Sequence, residues 1–375
     1  MKVFAGSENM ITSLGFTAAE NIKNILAGRS GIGIDQSGTY APSELPLSRV
    51  DYTGLKIEGD YTLLEKMFIQ SISNSLSQTD IDPASDNTLF VITTTKGNIN
   101  LLDKRYSGQF DPRRVYLQEM AKVIAGHFQN QNKVMIVSNA CISGVLGIIY
   151  AERMIRAGKY KNAVISGGDL MSEFIVSGFQ SFQSLSEKPC KPFDKNRDGL
   201  TLGEGCGTII ISKEKNAFSE TPVSVLGGAG SNDANHISGP SRTGEGLFLA
   251  IKNALEISEV EPDEVDTISA HGTATDYNDE MEAKAFSRAG LEKAPLNSYK
   301  GYVGHTLGAA GLIEAAISIQ SMKMNMLFRS AGYEQHGVSK DINVIKENET
   351  AQVDTCLKTG SGFGGSNAAV VFRKL

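Results

Sequence analysis

Twice along this chain a short apolar run ends beside a reactive side chain and is followed by a helical stretch and two further apolar runs. In the first half the run 134–137 leads to Cys141, a helix over 145–158, and strands over 162–165 and 206–211. In the second half the run 296–299 leads to Lys300 and His305, a helix over 306–322, and strands over 353–357 and 368–372. The letters of the two halves do not match, so what repeats is the order of elements. Short apolar runs between glycine and polar turns read as buried strands. Strands that alternate with helices pack as mainly parallel sheets covered by helices. The pattern predicts an α/β protein of two similar halves, 1–215 and 216–375.

The rest of the chain fits between these anchors. Strands are expected over 2–5, 89–94, 223–229 and 265–270, and helices over 17–28, 61–76, 115–128, 244–257 and 280–288. Residues 29–58 and the stretch between residues 165 and 206 read as loops. With 41% hydrophobic residues, 375 residues can bury a sizeable core as one large domain or two ordinary ones. No apolar run approaches the roughly 18 residues of a membrane span. The N-terminal MKVFAGSENM lacks the charged and apolar regions of a signal peptide. A net charge of −6 argues against general nucleic-acid binding. The four cysteines, Cys141, Cys190, Cys206 and Cys356, form no C-x-x-C pair. Together these features point to a reducing, cytoplasmic setting.

Cys141 lies in VSNACISG, between a strand end and a helix start, where unpaired N–H groups and the helix dipole favour an anion. A thiol there is expected to ionise more readily than usual and to act as a nucleophile. Ser138, Ala140, Ser143 and Gly144 would leave room for a substrate. The same residues also describe a buried small-residue turn with an inert cysteine. The strand 265–270 ends at His271 in AHGTAT, and 296–299 ends at Lys300 and then His305 in SYKGYVGHTLGAAG. A histidine at a strand end is often structural, yet open α/β sheets bind ligands at the carboxyl ends of their strands. A Cys–His–His set in that position suits acyl transfer.

Three other patterns are set aside. Asp194–Gly199, DKNRDG, matches the opening of a calcium loop, but the twelfth position is Gly205 rather than Glu. Gly360, Gly362 and Gly365 fit G-x-G-x-x-G but precede a strand, with no helix to hold a pyrophosphate. Ser143 does not sit in a G-x-S-x-G elbow, so a serine hydrolase is not supported.

In order, NACISG, PFDKNRDGLTLGEGCG, AHGTATDYNDEMEA, SYKGYVGHTLGAAG and GFGGSNAAVVF resemble the β-ketoacyl-acyl-carrier-protein synthases of thiolase fold. The likeness runs from about residue 132 to the C-terminus, with a weaker echo, LGFTAAENIKNILAGRSGI, near the start. It implies two thiolase-like βαβαβαββ halves in α-β-α-β-α layers, and usually a homodimer. Cys141 would be the acylated nucleophile and His271 and His305 the two active-site histidines. Lys300 would be the motif lysine, with Glu314 as its structural partner. Thr273 and Thr275 would hydrogen-bond a phosphopantetheine arm. Phe363 would gate the acyl pocket and, with the N–H of Cys141, form an oxyanion hole. The implied reaction loads Cys141 from an acyl carrier protein and condenses that acyl group with decarboxylated malonyl-carrier protein, in fatty-acid or polyketide synthesis. It needs no metal or redox cofactor. Asp194, Asp198 and Glu204 would form a supporting loop of hydrogen bonds and ion pairs.

The chain also departs from the family's pattern. Residues 35–135 are shorter than in its fatty-acid members. Thr94-Thr95-Lys96-Gly97 replaces a glycine-rich, apolar stretch, which would set Lys96 near the pocket floor or a dimer interface. Ser361 stands where a second phenylalanine is common. A compact chain of this kind looks more like an enzyme of a secondary pathway, such as aryl polyene or a related polyketide. The alternative reading is a non-catalytic, chain-length-factor-like subunit of a ketosynthase heterodimer, although such subunits typically lack the cysteine. A coenzyme-A thiolase would place a second cysteine near the C-terminal glycine loop, and Cys356 lies upstream of it. An acidic carrier protein would require a local basic patch, for which Arg113, Arg114 and Arg197 are the candidates.

Overall fold

The computed structural model describes residues 1–375 except 107, 234, 235, 237 and 238. Ten strands share one hydrogen-bonded sheet. Its order is Leu296–Asn297, Thr267–Ser269, Thr355–Gly362, Ser366–Arg373, Val223–Asn232, Phe4–Ile11, Gly205–Ser212, Asn162–Asp169, Thr88–Thr93 and Met135–Val137. Numbered within its own half, each set of five reads third, second, fourth, fifth, first from its outer edge. In both halves the three outermost strands are parallel. The inner two run antiparallel to their neighbours. The half-sheets meet along a short seam, Phe4 and Ala5 against Ser224 and Val223.

Alternation along the strands divides the core into layers. Leu89 and Val91 join a central cluster, whereas Phe90 and Ile92 join an outer one. Cys356 and Val370 face the central cluster, whereas Leu357 and Val371 face a third. The strands are buried on both faces, which is why they read as unbroken apolar runs. The central layer holds the helices Ser143–Arg156 and Ala310–Met324. Leu63–Leu76 and Leu117–His127 cover one outer face, and Glu245–Ser258 and Asp276–Arg288 cover the other. The result is the α-β-α-β-α arrangement. Ala310–Met324 is buried around its circumference because it touches strands of both halves.

Helix boundaries follow their sequence signals. Thr17 and Thr62 cap their helices in capping boxes closed by Glu20 and Glu65. Two expected loops carry structure instead. Within 29–58, the strands Ile32–Asp35 and Leu45–Ser48 form a small sheet with Leu202–Gly203. The stretch after residue 165 contains the helix Glu173–Ser181. The first strand extends to Ile11 because its polar residues are paired inside. Ser7 Oγ donates to Ser75 O, and Glu8 accepts from Gln320 and Lys323. No helix among the described residues is long and apolar enough to cross a membrane.

Candidate active site

Cys141 sits on a sharp turn between Met135–Val137 and Ser143–Arg156. Ala140 holds φ 44°, a left-handed conformation that costs free energy for a non-glycine residue. The turn is locked by Ser143, whose Oγ donates to Ala140 O at 2.7 Å and accepts from Asn139 N–H at 2.8 Å. Ser143 is thereby committed to structure. The Cys141 sulfur accepts the main-chain N–H of Phe363.

His271 follows the strand Thr267–Ser269, and its loop is tied down by two buried acids on the helix Asp276–Arg288. Glu282 accepts the N–H groups of His271 and Gly272 at 2.8 and 2.6 Å. Asp279 accepts those of Thr273 and Ala274 at 2.9 and 3.2 Å. Burial pushes Asp279 up to about 6 and Glu282 to about 7. His305 follows the short helix Lys300–Val303. Its approach is fixed by Asp169, which accepts Gly308 N–H at 2.7 Å and also the Thr94 and Thr95 hydroxyls. Neither Asp169 nor the Asp279–Glu282 pair stood out in the sequence. An acidic residue in an otherwise apolar strand, and an acid pair three apart after a Gly-Thr turn, were the available signals.

The three reactive groups converge. The Cys141 sulfur and ring nitrogens of His271 and His305 lie within 4.8 Å of one another. The two rings stand edge to face, with centroids 5.1 Å apart. Lys300 Nζ lies 3.3 Å from His271 Nδ1 and also reaches His271 O. An ammonium can only donate, so His271 Nδ1 accepts and Nε2 carries the hydrogen. His305 Nδ1 accepts Leu307 N–H at 3.2 Å, which fixes the same tautomer. Burial, with Lys300 and Lys358 nearby, holds both imidazoles well below their ordinary 6.5. Two neutral rings therefore present N–H donors to the sulfur. A Cys–His–His cluster this tight has the spacing of a metal site, but nitrogens that carry hydrogens have no lone pair to ligate with.

Burial pushes the Cys141 thiol up to about 11, against the opposing pull of Lys300. This corrects the expectation of a readily ionised thiol: the desolvation of a buried sulfur outweighs its place near a helix start. The proton must leave as the sulfur attacks.

Behind the histidines, Lys300 Nζ donates to Glu314 Oε1 at 2.6 Å, and Lys358 Nζ donates to Oε2 at 2.6 Å. All three side chains are fully buried. Lys300 and Glu314 are not among the residues lining the cavity, and Lys300 reaches it only through its contacts with His271. Lys358 opens the stretch KTGSGFGGSN, just after the strand expected over 353–357, and nothing in the sequence assigns it a role; it lies inside the longer strand Thr355–Gly362.

Cys141, His271, His305, Thr273, Thr275 and Phe363 line one cavity of about 450 Å³. The Thr273 and Thr275 hydroxyls are 2.9 Å apart. The Phe363 ring packs against Phe179 and Phe182 at 5.6 and 5.1 Å. Ser361 also lines the cavity and donates to Asn367 Oδ1 at 2.8 Å. Lys96 is exposed and is not among the residues that line this cavity. Asp194, Asp198 and Glu204 are held in hydrogen bonds. Asp194 accepts two main-chain N–H groups from Glu334 and Gln335 at 2.7 Å each, which leaves it ill suited to calcium. Asp198 accepts from Ser186, and Glu204 from Tyr52. Gly360 and Gly362 lie in an antiparallel hairpin, not a nucleotide loop.

The proposed carrier-facing arginines separate. Arg113 is exposed and paired with Asp111. Arg114 is bound to the buried Glu65, and Arg197 is buried against the carbonyls of Asp194 and Gly337. Neither Arg114 nor Arg197 is free to meet a partner, because each already satisfies buried acceptors.

Residues 9–217 match the N-terminal domain of β-ketoacyl synthases, and 223–334 match the C-terminal domain. A curated relative, 3-oxoacyl-[acyl-carrier-protein] synthase 2 of Coxiella burnetii, is 32% identical over 64% of this chain and 61% of its own length. The enzyme of the same name from Vibrio cholerae is 26% identical over 100% of this chain and 99% of its own. A ketosynthase solved in complex with its chain length factor, from Xenorhabdus doucetiae, superimposes with a TM-score of 0.91 at 23% identity, covering 100% of this chain and 98% of that one.

Proposed function

We propose that this chain, which belongs to the β-ketoacyl synthase family, extends acyl thioesters by decarboxylative condensation, with Cys141 as acyl acceptor and His271 and His305 as N–H donors. The observation that carries these roles is the meeting of one thiol and two imidazoles within 4.8 Å, with the Nδ1 of each ring facing a donor, Lys300 Nζ or Leu307 N–H.

The Cys141 sulfur attacks the carbonyl carbon of an acyl thioester on a carrier protein. The carrier's thiolate leaves with the thiol proton, and the acyl group stays on Cys141. The Cys141 and Phe363 N–H groups would stabilise the oxyanion; one such donor is typically worth about 100- to 1000-fold in rate. A malonyl thioester then loses CO₂, and the electrons of the broken C–C bond form an enolate. The Nε2–H groups of His271 and His305 stabilise its oxygen. Its carbon attacks the acyl-Cys141 carbonyl, the C–S bond breaks, and the Cys141 thiolate takes up a proton from solvent. Thr273 and Thr275 would hold the phosphopantetheine arm that brings both substrates. The partner on this reading is an acyl carrier protein, and the enzyme works in the cytoplasm as a homodimer or beside a related subunit. Ser361, small and turned to Asn367, widens the cavity where an aromatic ring would narrow it, which supports an acyl chain of a secondary pathway.

Incubation with malonyl- and a panel of acyl-carrier proteins, read by intact mass beside Cys141→Ala, tests this. An acyl adduct on the wild type alone is expected. No adduct from any donor, with or without a second subunit, would overturn the catalytic reading in favour of a non-catalytic partner.

A further inference from the structure

Lys358 has no part in the reaction as derived so far. Its ammonium is fully buried in the strand Thr355–Gly362, one layer behind the reacting groups. Burying a lysine is costly unless its charge is met, and burial lowers its pKa against the pull of Glu314. The acceptors that meet it are informative. Nζ donates to Glu314 Oε2 at 2.6 Å, to Ser269 O at 3.2 Å and to Ala270 O at 3.3 Å. Ser269 and Ala270 are the two residues immediately before His271. Lys300 takes the other oxygen of Glu314 and the carbonyl of His271 itself. Three consecutive carbonyls thus converge on two ammonium groups that share one carboxylate.

We propose that Lys358 is a positioning residue for the decarboxylation step: with Lys300 it brackets Glu314 and clamps the backbone that delivers His271 to the cavity. This rests on the condensing reading above. Two cations on one anion leave a surplus positive charge behind the imidazoles. The charged and titratable groups facing His271 are Lys300 and Lys358 on one side, His305 and Cys141 on the other, and Glu282 beneath its main-chain N–H. Lys358 helps keep His271 and His305 uncharged, so that each holds one donor at Nε2 and one acceptor at Nδ1. Cys141 is anchored separately, by its own turn and the Phe363 N–H, so its acylation does not depend on the clamp.

The two half-reactions can therefore be separated. Lys358→Met removes charge and donors, and Lys358→Gln removes the charge but keeps a donor for Glu314. We expect both variants to form the acyl-Cys141 adduct within about threefold of the wild-type rate. Malonyl decarboxylation should fall at least about tenfold in Lys358→Met, since small displacements of a reacting group cost up to about 100-fold. In Lys358→Gln the acid limb of decarboxylation should move to higher pH. Equal losses in both half-reactions, unchanged decarboxylation, or failure of both variants to fold would each overturn the proposal and leave Lys358 a purely structural residue. A wild type that forms no adduct fails the condensing reading instead, so the two failures are distinguishable.

Discussion

Gly144 and Gly311 meet backbone to backbone where the two central helices cross. A Cβ on Gly144 would lie 2.7 Å from the main-chain nitrogen of Leu312, and one on Gly311 would lie 2.6 Å from that of Val145. Neither neighbour is a flexible side chain, so the helices themselves would have to separate. The two central helices begin shortly after Cys141 and His305, so this crossing sets how closely Cys141 approaches His305.

Gly144→Ala and Gly311→Ala should each destabilise the fold by about 1–3 kcal/mol, the usual cost of overpacking a dense core. Thermal unfolding measures it. An unchanged midpoint for either variant would mean that the helices cross with more slack than these distances allow.

Replacing the reactive residues one at a time should divide the reaction. Cys141→Ala should form no acyl adduct. His271→Ala and His305→Ala should still form one but lose about 100-fold or more in condensation, the worth of an oxyanion donor. Rapid-quench assays of each half-reaction check this. A histidine variant that loses acylation as severely as condensation would instead make that ring a proton acceptor for the thiol.

Both imidazoles are held well below the ordinary histidine value of 6.5. They should stay neutral as pH falls through 6.5, so the decarboxylation rate should remain level there and decline only at lower pH. Their depressed values also stabilise the fold above pH 6.5, and that contribution is lost as pH falls through the folded-state values. A decarboxylation limb centred at or above 6.5 would contradict the neutral Nε2–H assignment.

Arg113 and Arg114 are neighbours in sequence and opposites in structure. Arg114→Ala would leave the buried Glu65 unpaired, which costs about 3 kcal/mol in comparable pairs. Arg113→Ala should leave the unfolding midpoint unchanged, because its ion pair with Asp111 is exposed. Arg113→Glu is therefore the clean probe of carrier docking: a raised KM for carrier protein with unaltered stability is expected. Unaltered KM would remove Arg113 from the contact surface.

Much of the fold was legible because both faces of the central strands are buried. Runs such as Leu89–Val91 and Ile209–Ile211 are apolar without interruption, so their position was clear even where their ends were not. Polar strands were harder to see. Ser7, Glu8 and Asn9 read as a break, yet each finds a partner inside, and the strand runs on to Ile11. The short strands at Ile32–Asp35 and Leu45–Ser48 pair with each other and with Leu202–Gly203, a long-range contact that no local pattern announces.

The amino-acid sequence by itself determined the order of the main strands and helices, the doubled strand plan, and Cys141, His271 and His305 as the candidate reactive residues, because each follows from local patterns of apolar runs, turns and residue type. Their chemistry was decided only by tertiary structure. Whether the Cys141 thiol is easily ionised depends on what surrounds it, and burial reverses the helix-end expectation. Which nitrogen of each imidazole bears hydrogen depends on Lys300 and Leu307, donors that reach the rings only in the folded chain. Lys358 acquires a meaning only when folding brings it to Glu314, 44 residues away in sequence, and to the carbonyls before His271. Protonation and orientation are set by fields and contacts between distant segments, and those exist only after the two halves close around their central helices.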